Sequence, residues 1–499
     1  MIYFSEFWRA APALFVGCNL LLSAAAVYYP HPAYIFACAV LWVPLALQRE
    51  WKKLLSTLLL CSLFFAHLSY LYHPPQSETD KPQIGAASIS GTGYFEIESV
   101  REVQSPFNRS YLYQGSLRSF ETQEGEKLKN IPCNIHLPYK KERPLASCDY
   151  LVEGSLFQKR AHTFVLKPAK SSIWQPVPNS FSFAEWRYQI KERARSFLHE
   201  QIPNPRAASF FIALTIGDLD DRLLSLEFAK VGLQHILGVS GFHFVLLAAF
   251  LGFLLRLFLP FKATALLLLI LLSFYFFFVG SAPAVVRGWV AICVFLVARL
   301  FHLNTSALNA LGVGLSVEIL WNPISVTTIG FQLSFLCTWA ILILYPLFRR
   351  GINLILPKRT LQTAVEMSPL HQHGYIFSSL IREALSLNLA VHFASLPLLL
   401  FLFHKFPLQS LIYNLFFPFC FSASLLLLLI SIIFSFLIPP LGTLLHSCNS
   451  AFTGGLLDMI GNASPLLDLS IRTHTLPFWL LILLLSLLFA LPFFLKKDR

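Results

Sequence analysis

HILGVSGFHFVLLAAFLGFLLRLFLPFKATALLLLILLSFYFFFVG, residues 235 to 280, is the stretch whose reading decides the fold. It joins two apolar runs, 235–258 and 263–280, across a link that carries Lys262. Each run has the length a helix needs to cross roughly 30 Å of hydrocarbon at about 1.5 Å per residue, so both read as spans rather than core helices. Similar runs follow at 284–302, 306–321, 327–348, 379–404, 409–438 and 476–495, and precede at 11–29, 33–47 and 54–72. With 56% hydrophobic residues, 13% charged residues and a mean hydropathy of +0.62, a water-soluble fold is excluded. The sequence predicts a polytopic α-helical membrane protein of about 10–12 spans.

Cations set the expected topology. Arg49, Lys52 and Lys53 place the link 48–53 in the cytoplasm, as Arg256 with Lys262, Arg299, and Arg349 with Arg350, Lys358 and Arg359 do for later ends. The C-terminal Lys496, Lys497 and Arg499 also belong inside, which requires 441–463 to cross or fold back. Residues 1–26 could instead be a secretory signal, but further spans follow at once. Three leading spans then put the segment from His73 to about Pro205 outside a bacterial inner membrane. The expected division is membrane spans in 1–73, an extracytoplasmic β domain in 74–170, a linker and interfacial helix in 171–205, and a second membrane domain in 206–499.

Within the soluble segment the pattern changes to short alternating or β-branched runs between turn residues. Strands are expected at Ser88 to Val100, Ser110 to Phe120, Ile131 to Leu137, Asp149 to Phe157 and His162 to Leu166, with Gly91, Gly93, Gly115 and Gly154 available for bulges or bends. Five such strands suit a small OB-like barrel, and an SH3-like barrel fits nearly as well. Seven of the nine cysteines lie in or beside apolar runs, leaving Cys133 and Cys148 alone in this segment. In an oxidising compartment the two are expected to form a disulfide, and closing their loop would contribute about 3 kcal/mol. From Lys159 to Arg195 cations outnumber acids, with Trp174, Trp186 and Tyr188 interleaved. Residues 183–202 place Phe183, Trp186, Ile190, Ala194 and Phe197 on one side of a helix, which favours an amphipathic helix at the lipid surface over direct nucleic-acid contact.

Polar residues inside apolar runs are costly and are functional candidates by default. Three clusters stand out: His235-Ile236-Leu237-Gly238-Val239-Ser240-Gly241-Phe242-His243, then Gly280-Ser281-Ala282-Pro283 leading to Arg287-Gly288, then Asn322-Pro323 with Gly330-Phe331-Gln332-Leu333-Ser334-Phe335. Asn414 and Pro418 interrupt a later run. Broken helices at membrane depth are tolerated where they are buried in protein or line a water-filled cavity, so these clusters suggest a path for a hydrophilic solute. Small and hydroxyl residues also let helices approach closely, which is the packing alternative.

In their order these clusters resemble the ComEC family of competence proteins. Ala213-Leu214-Thr215-Ile216-Gly217-Asp218 is similar to the stretch ahead of that family's channel core, His235 to His243 to its H-x4-S-G-x-H signature, Pro283 to Gly288 to its proline-then-arginine segment, and Asn322-Pro323 with Gly330 to Phe335 to its G-F-Q-L-S-F signature. Leu396-Pro397 and Asn414 with Pro418 continue the pattern. The resemblance implies a membrane channel that brings single-stranded transforming DNA into the cytoplasm, working with the bilayer, a competence DNA receptor and a cytoplasmic translocase, and open to oligomer formation. His235, Ser240, Gly241, His243, Arg287, Gln332, Ser334 and Asn414 are then candidates for the translocation path. On the barrel, Arg109, Tyr111, Arg118, Lys140, Lys141 and Arg143 are candidate DNA contacts, and Tyr94, Phe95 and Tyr113 candidate stacking platforms. Many family members carry a C-terminal metallo-β-lactamase-like domain thought to degrade the other strand. The sequence has no H-x-H-x-D-H cluster, so no metal, cofactor or nuclease activity is expected, and a separate nuclease could act. No P-loop is present to drive motion.

Two other classes fit parts of the sequence less well. Gly238-Val239-Ser240-Gly241 reads as the G-x-S-G of an intramembrane serine protease, which would need His392 or His302 as base. A small-solute transporter would predict inverted repeats, and none is evident.

Overall fold

The computed structural model describes residues 7–29, 32–47, 50–71, 88–105, 108–123, 125, 127–139, 143–160, 163–169, 174–219, 221–304, 306–462, 469–473 and 475–495. The chain forms two compact units. One comprises Leu22–Ala37 and Leu55–Glu200, the other Met1–Leu21, Cys38–Leu54 and Gln201–Arg499. Helices α1 (Pro12–Tyr28), α2 (Pro32–Leu47) and α3 (Trp51–Leu71) lead.

The first unit holds a small β-barrel. Its strands are β1 (Ile89–Ser105), β2 (Asn108–Thr122), β3 (Lys127–Pro138), β4 (Tyr150–Arg160) and β5 (Thr163–Pro168), with a two-residue β6 (Gln175–Pro176). All five expected strands are present. The order runs β1-β2-β3-β5-β4, and a further β1–β4 pairing closes the circle. The β3–β5 pair is parallel; the other pairs are antiparallel. One strand can pair on both sides because β1 is long and changes register at Tyr94/Phe95 and Ile97/Ser99, which increases its twist. Beside those shifts sits Gly115, where an added Cβ would lie 1.9 Å from the Glu96 carbonyl oxygen, so no side chain fits. Alternating residues point inward, and Phe95, Ile97, Tyr113, Leu117, Phe120, Ile135, Val152 and Leu166 fill the core.

Helix α4 (Ala184–Gln201) packs on this barrel through Ala184 and Tyr188. Phe183 and Trp186 of the predicted apolar face stay exposed. The expected disulfide is corrected. Cys133 and Cys148 are both free thiols. Cys133 points into the core, its Sγ facing the Asn134 carbonyl, whereas Cys148 lies partly exposed in the segment before β4, beside Tyr150. Burial pushes the Cys133 thiol up to about 12, which makes it unreactive.

The second unit is helical. It contains α5 (Pro205–Thr215), α6 (Arg222–Lys230), α7 (Gly241–Arg256), α8 (Phe261–Val279), α9 (Pro283–Leu300), α10 (Ala307–Trp321), α11 (Ile329–Ile343), α12 (Tyr345–Ile355), α13 (Leu361–Val365), α14 (Pro369–Phe403), α15 (Ser410–Leu437), α16 (Pro439–Gly461) and α17 (Phe478–Leu495), with short 3-10 turns at Gln234–Leu237 and Pro323–Thr327. A two-stranded ribbon pairs β7 (Lys405–Pro407) with β8 (Ser470–Arg472). Five helices among the described residues are long and apolar enough to cross a bilayer, and a sixth span results if α11 and α12, bent by 51°, count as one. Helices α1, α7 and α10 and residues Phe478–Phe489 are apolar but shorter. This is fewer full-length spans than the runs predict, because hydropathy averages across backbone breaks. The run 235–258 yields a helix only from Gly241, and 327–348 is broken at Leu344 ahead of Pro346. The weakly apolar stretch 441–463 is helical up to Gly461, with residue 463 outside the described residues. It folds back on α15 through a buried polar seam in which Ser424 bonds Thr453 at 2.6 Å and Asn449 donates to the Ser424 carbonyl at 3.1 Å.

Helix α1 belongs to this second unit through its first half. Gly17 and Gly312 sit where α1 and α10 touch backbone to backbone, and an added Cβ on Gly312 would lie 2.1 Å from Leu14 N. Asn309 clasps the start of α1, accepting from Ala13 N at 3.1 Å and donating to the Ala10 carbonyl at 3.2 Å.

Candidate functional site

Three of the motif segments meet at one guanidinium. Helix α7 begins at Ser240, whose backbone N–H donates to His243 Nδ1 at 2.8 Å, so the histidine takes the place a glutamate usually holds in a capping box. The next residue, Gly241, lies against Gly288 of α9. A Cβ on Gly288 would stand 2.6 Å from Gly241 Cα, so the two helices cross with no side chain between them. Pro283 starts α9 at a position where its missing N–H costs nothing, and this fixes the phase that carries Arg287 to the crossing. Arg287 Nε donates to Ser334 Oγ of α11 at 2.7 Å, and Nη1 donates to Thr338 Oγ1 one turn further along. Its Nη2 lies toward Gly241.

Helix α11 is aimed by the break before it. Thr328 caps it by accepting from Phe331 N at 3.3 Å, and Gln332 Nε2 donates to the Val326 carbonyl at 3.1 Å. Gln332 thus braces the bend rather than pointing at Arg287.

Electrostatically the junction is unusual. An arginine in an apolar bundle is costly unless its charge is met. Here both acceptors are neutral hydroxyls, and among the described residues no carboxylate pairs with Arg287. The positive charge is oriented but not cancelled.

The remaining path candidates lie elsewhere. His235 is exposed on the turn Gln234–Leu237, and its electrostatic neighbour is His392. His392 is committed to Ser410 Oγ at 3.0 Å and to the Asn388 carbonyl, so it is no base for Ser240. His243 lies 3.3 Å from Ser240 Oγ, but its Nδ1 lone pair already accepts the Ser240 backbone N–H. The pair is a helix cap rather than a catalytic dyad. Asn414 is half-buried in the second turn of α15.

On the barrel the candidate DNA contacts divide. Arg109 is exposed, 3.9 Å from Glu102. Arg118 is exposed, forks onto Glu96 at 2.7 and 3.2 Å, and lies over the Tyr94 ring. Lys140 and Lys141 lie outside the described residues. Arg143 is withdrawn from any strand. Sandwiched against Tyr111 and Tyr188, it forks onto Glu185 at 2.7 and 2.9 Å, and the two side chains are only 11% and 10% exposed. Burial alone would raise the Glu185 carboxyl, but Arg143 and the Ala146 N–H outweigh it and hold it below the usual carboxylate range. Burial likewise opposes the Arg143 charge, and Glu185 and Tyr113 reverse that and hold it above the ordinary arginine value. Tyr111 is buried and stacked on Tyr139, Phe95 and Tyr113 are core residues, and the Tyr94 hydroxyl donates to Asp149 at 2.8 Å.

A family model described as Competence protein matches residues 219–498, more than half of the chain and all of the junction. The chain belongs to the competence protein family. It is similar to ComE operon protein 3 of Bacillus subtilis (strain 168), with 27% identity over 239 residues, covering 46% of this chain and 27% of that protein. The aligned part is therefore about a quarter of that relative's length. No solved structure matches. The competence match begins at residue 219, so the barrel, α4 and the helices before them lie outside it.

Some of the side chains that hold these helices together escape a reading of the sequence. Thr338 follows Ser334 by four residues, the spacing that puts both hydroxyls on one helix face, and that spacing is a usable signal. Arg206 ties α5 to α6 and α16 through Glu227 at 2.6 Å and Asp458 at 2.9 Å, partners far apart in sequence. Glu318, 2% exposed in α10, is the single charged residue of the run 306–321 and is legible on that ground.

Proposed function

We propose that this chain is a conduit that carries single-stranded DNA across the bacterial inner membrane during natural competence. One observation carries the reading: three motif segments of a competence-family membrane domain converge on Arg287, whose charge is held by hydroxyls alone. Neutral acceptors fix the guanidinium plane without discharging it, so its remaining N–H groups suit a passing phosphate. Glycine at 241 leaves no side chain against the guanidinium, where a Cβ would lie 3.6 Å from Nη2.

The barrel fits that reading as an OB-like module. Its strand order, its closure by β1 and β4 and its parallel β3–β5 pair support the assignment, and the cation distribution supports a position outside the membrane. Arg109 and Arg118 with Tyr94 are the exposed groups suited to a strand. The implied partners are the lipid bilayer, a DNA receptor outside and a translocase inside, with a separate nuclease and self-association compatible with the same reading.

The test is a transformation assay in cells whose own copy is replaced. Arg287→Ala, present in the membrane at the wild-type level, should leave incoming DNA outside in nuclease-sensitive form. Normal internalisation by that variant would overturn the assignment.

A further inference from the structure

The break between α10 and α11 encloses two buried oxygens that nothing in the junction uses. Glu318 is 2% exposed and Ser325 3% exposed, and Glu318 Oε2 and Ser325 Oγ both lack a hydrogen-bond partner. The Ser325 hydroxyl lies within interaction range of the Glu318 carboxylate. Between them the chain turns at Asn322-Pro323, with Asn322 N donating to the Glu318 carbonyl at 2.9 Å and Ser325 N to the Asn322 carbonyl at 3.0 Å.

Proline at 323 has a further effect. The helical donor for the Ile319 carbonyl would be the N–H of residue 323, which proline lacks, and Ile319 is fully buried. The negative end of the α10 dipole therefore keeps the Ile319 carbonyl without its helical donor, next in sequence to the buried carboxylate of Glu318. An isolated carboxylate among apolar side chains is strongly disfavoured unless a proton or a positive charge joins it. The elements packed against α10 do not supply one from their side chains. Helix α9 carries Arg287, committed to Ser334 and Thr338, and Arg299, which lies over Phe295; Cys293 on α9, Cys337 on α11 and Cys18 and Tyr28 on α1 are the other titratable groups, and none of these four is a cation.

We propose that Glu318, Ser325 and the carbonyl end of α10 form a binding site for one monovalent cation, Na⁺. Hard oxygen donors from a carboxylate, a hydroxyl and an unwound helix end are the set such an ion takes at a broken membrane helix. The site sits on the hinge that aims α11. Val326, which holds Gln332, is the residue after Ser325, so occupancy would stiffen the helix that presents Ser334 and Thr338 to Arg287.

The site can be tested on the full-length protein in nanodiscs without any DNA, so its failure is separable from that of the conduit reading. Thermal unfolding is followed as NaCl replaces choline chloride at constant ionic strength and pH. The wild type should gain a saturable rise of on the order of a few degrees. Ser325→Ala should move the Na⁺ midpoint upward several-fold, and Glu318→Gln should abolish the Na⁺ response. Equal unfolding temperatures in NaCl and choline chloride, a response to pH but not to Na⁺, or a Na⁺ response that survives in Glu318→Gln would overturn the proposal. If Glu318→Gln does not accumulate, an unchanged Na⁺ midpoint in Ser325→Ala overturns it equally.

Discussion

Arg287 of α9 and Ser334 of α11, 47 residues apart, are joined by a 2.7 Å hydrogen bond from Nε to Oγ. With Thr338 one turn on, this makes the guanidinium a fixed fork rather than a mobile charge. Arg287→Lys keeps the charge but offers one rotatable ammonium, whereas Arg287→Ala removes both. Losing a charge-assisted bond costs about 1.5–3 kcal/mol, so internalised DNA should fall roughly 10- to 100-fold for lysine and further for alanine. Equal uptake by the lysine variant and the wild type would show that the fork geometry is irrelevant.

The helix crossing gives a second test. Gly288→Ala places a Cβ 2.6 Å from Gly241 Cα, so α7 and α9 must separate. A loss of about 1–3 kcal/mol is expected, read as a lower unfolding temperature in detergent. Gly330→Ala meets nothing within 4 Å and should be neutral or slightly stabilising. Equal effects of the two substitutions would contradict the close approach.

These two cases also mark what sequence alone can reach. The apolar runs, the five strands and the order of the polar clusters are local patterns, and they are readable as such. Convergence of Ser240-Gly241, Arg287-Gly288 and Ser334 is not, because it depends on which helix faces meet. The two corrections in the barrel share a cause. Residue type alone makes Arg143 a phosphate contact and Cys133 a disulfide partner, but a strand alternates its faces and a loop folds where it closes, and these put the first beside Glu185 and the second in the core. Nor does hydropathy register a proline or a cap, which is why span counts from runs exceed the helices long enough to cross.

In the barrel, Glu185 is held below its unfolded value, so its stabilisation is complete above about pH 4.3 and is lost as pH falls through the lower folded value. Hydrogen exchange of β1 to β5 should show protection level between about pH 6 and about pH 4.3 and falling from there towards about pH 3 in the wild type. Glu185→Gln, which breaks a largely buried pair, should lower protection by about 3 kcal/mol near neutral pH and flatten the pH dependence. Protection in the wild type that stays constant down to about pH 3 would refute the linkage.

Thiol labelling without reductant separates the two barrel cysteines. Cys148, partly exposed, should react in the folded protein, and Cys133 only after denaturation. If neither labels in denaturant until reductant is added, the two are bridged.

Exposed cations on the barrel predict a graded response. Arg109→Ala and Arg118→Ala should each weaken single-strand binding and lower the salt slope by about 0.7 for each phosphate that is no longer neutralised. Unchanged slopes in both would remove the barrel from the DNA path.

The most direct measurement traps the strand in passage. A photo-crosslinking residue is placed at Ser334, beside Arg287, and labelled DNA with a bulky end is arrested during uptake. A conduit predicts covalent capture of the incoming single strand at residue 334. Continued uptake of unblocked DNA by the same cells, with no crosslink there, would contradict passage through this domain.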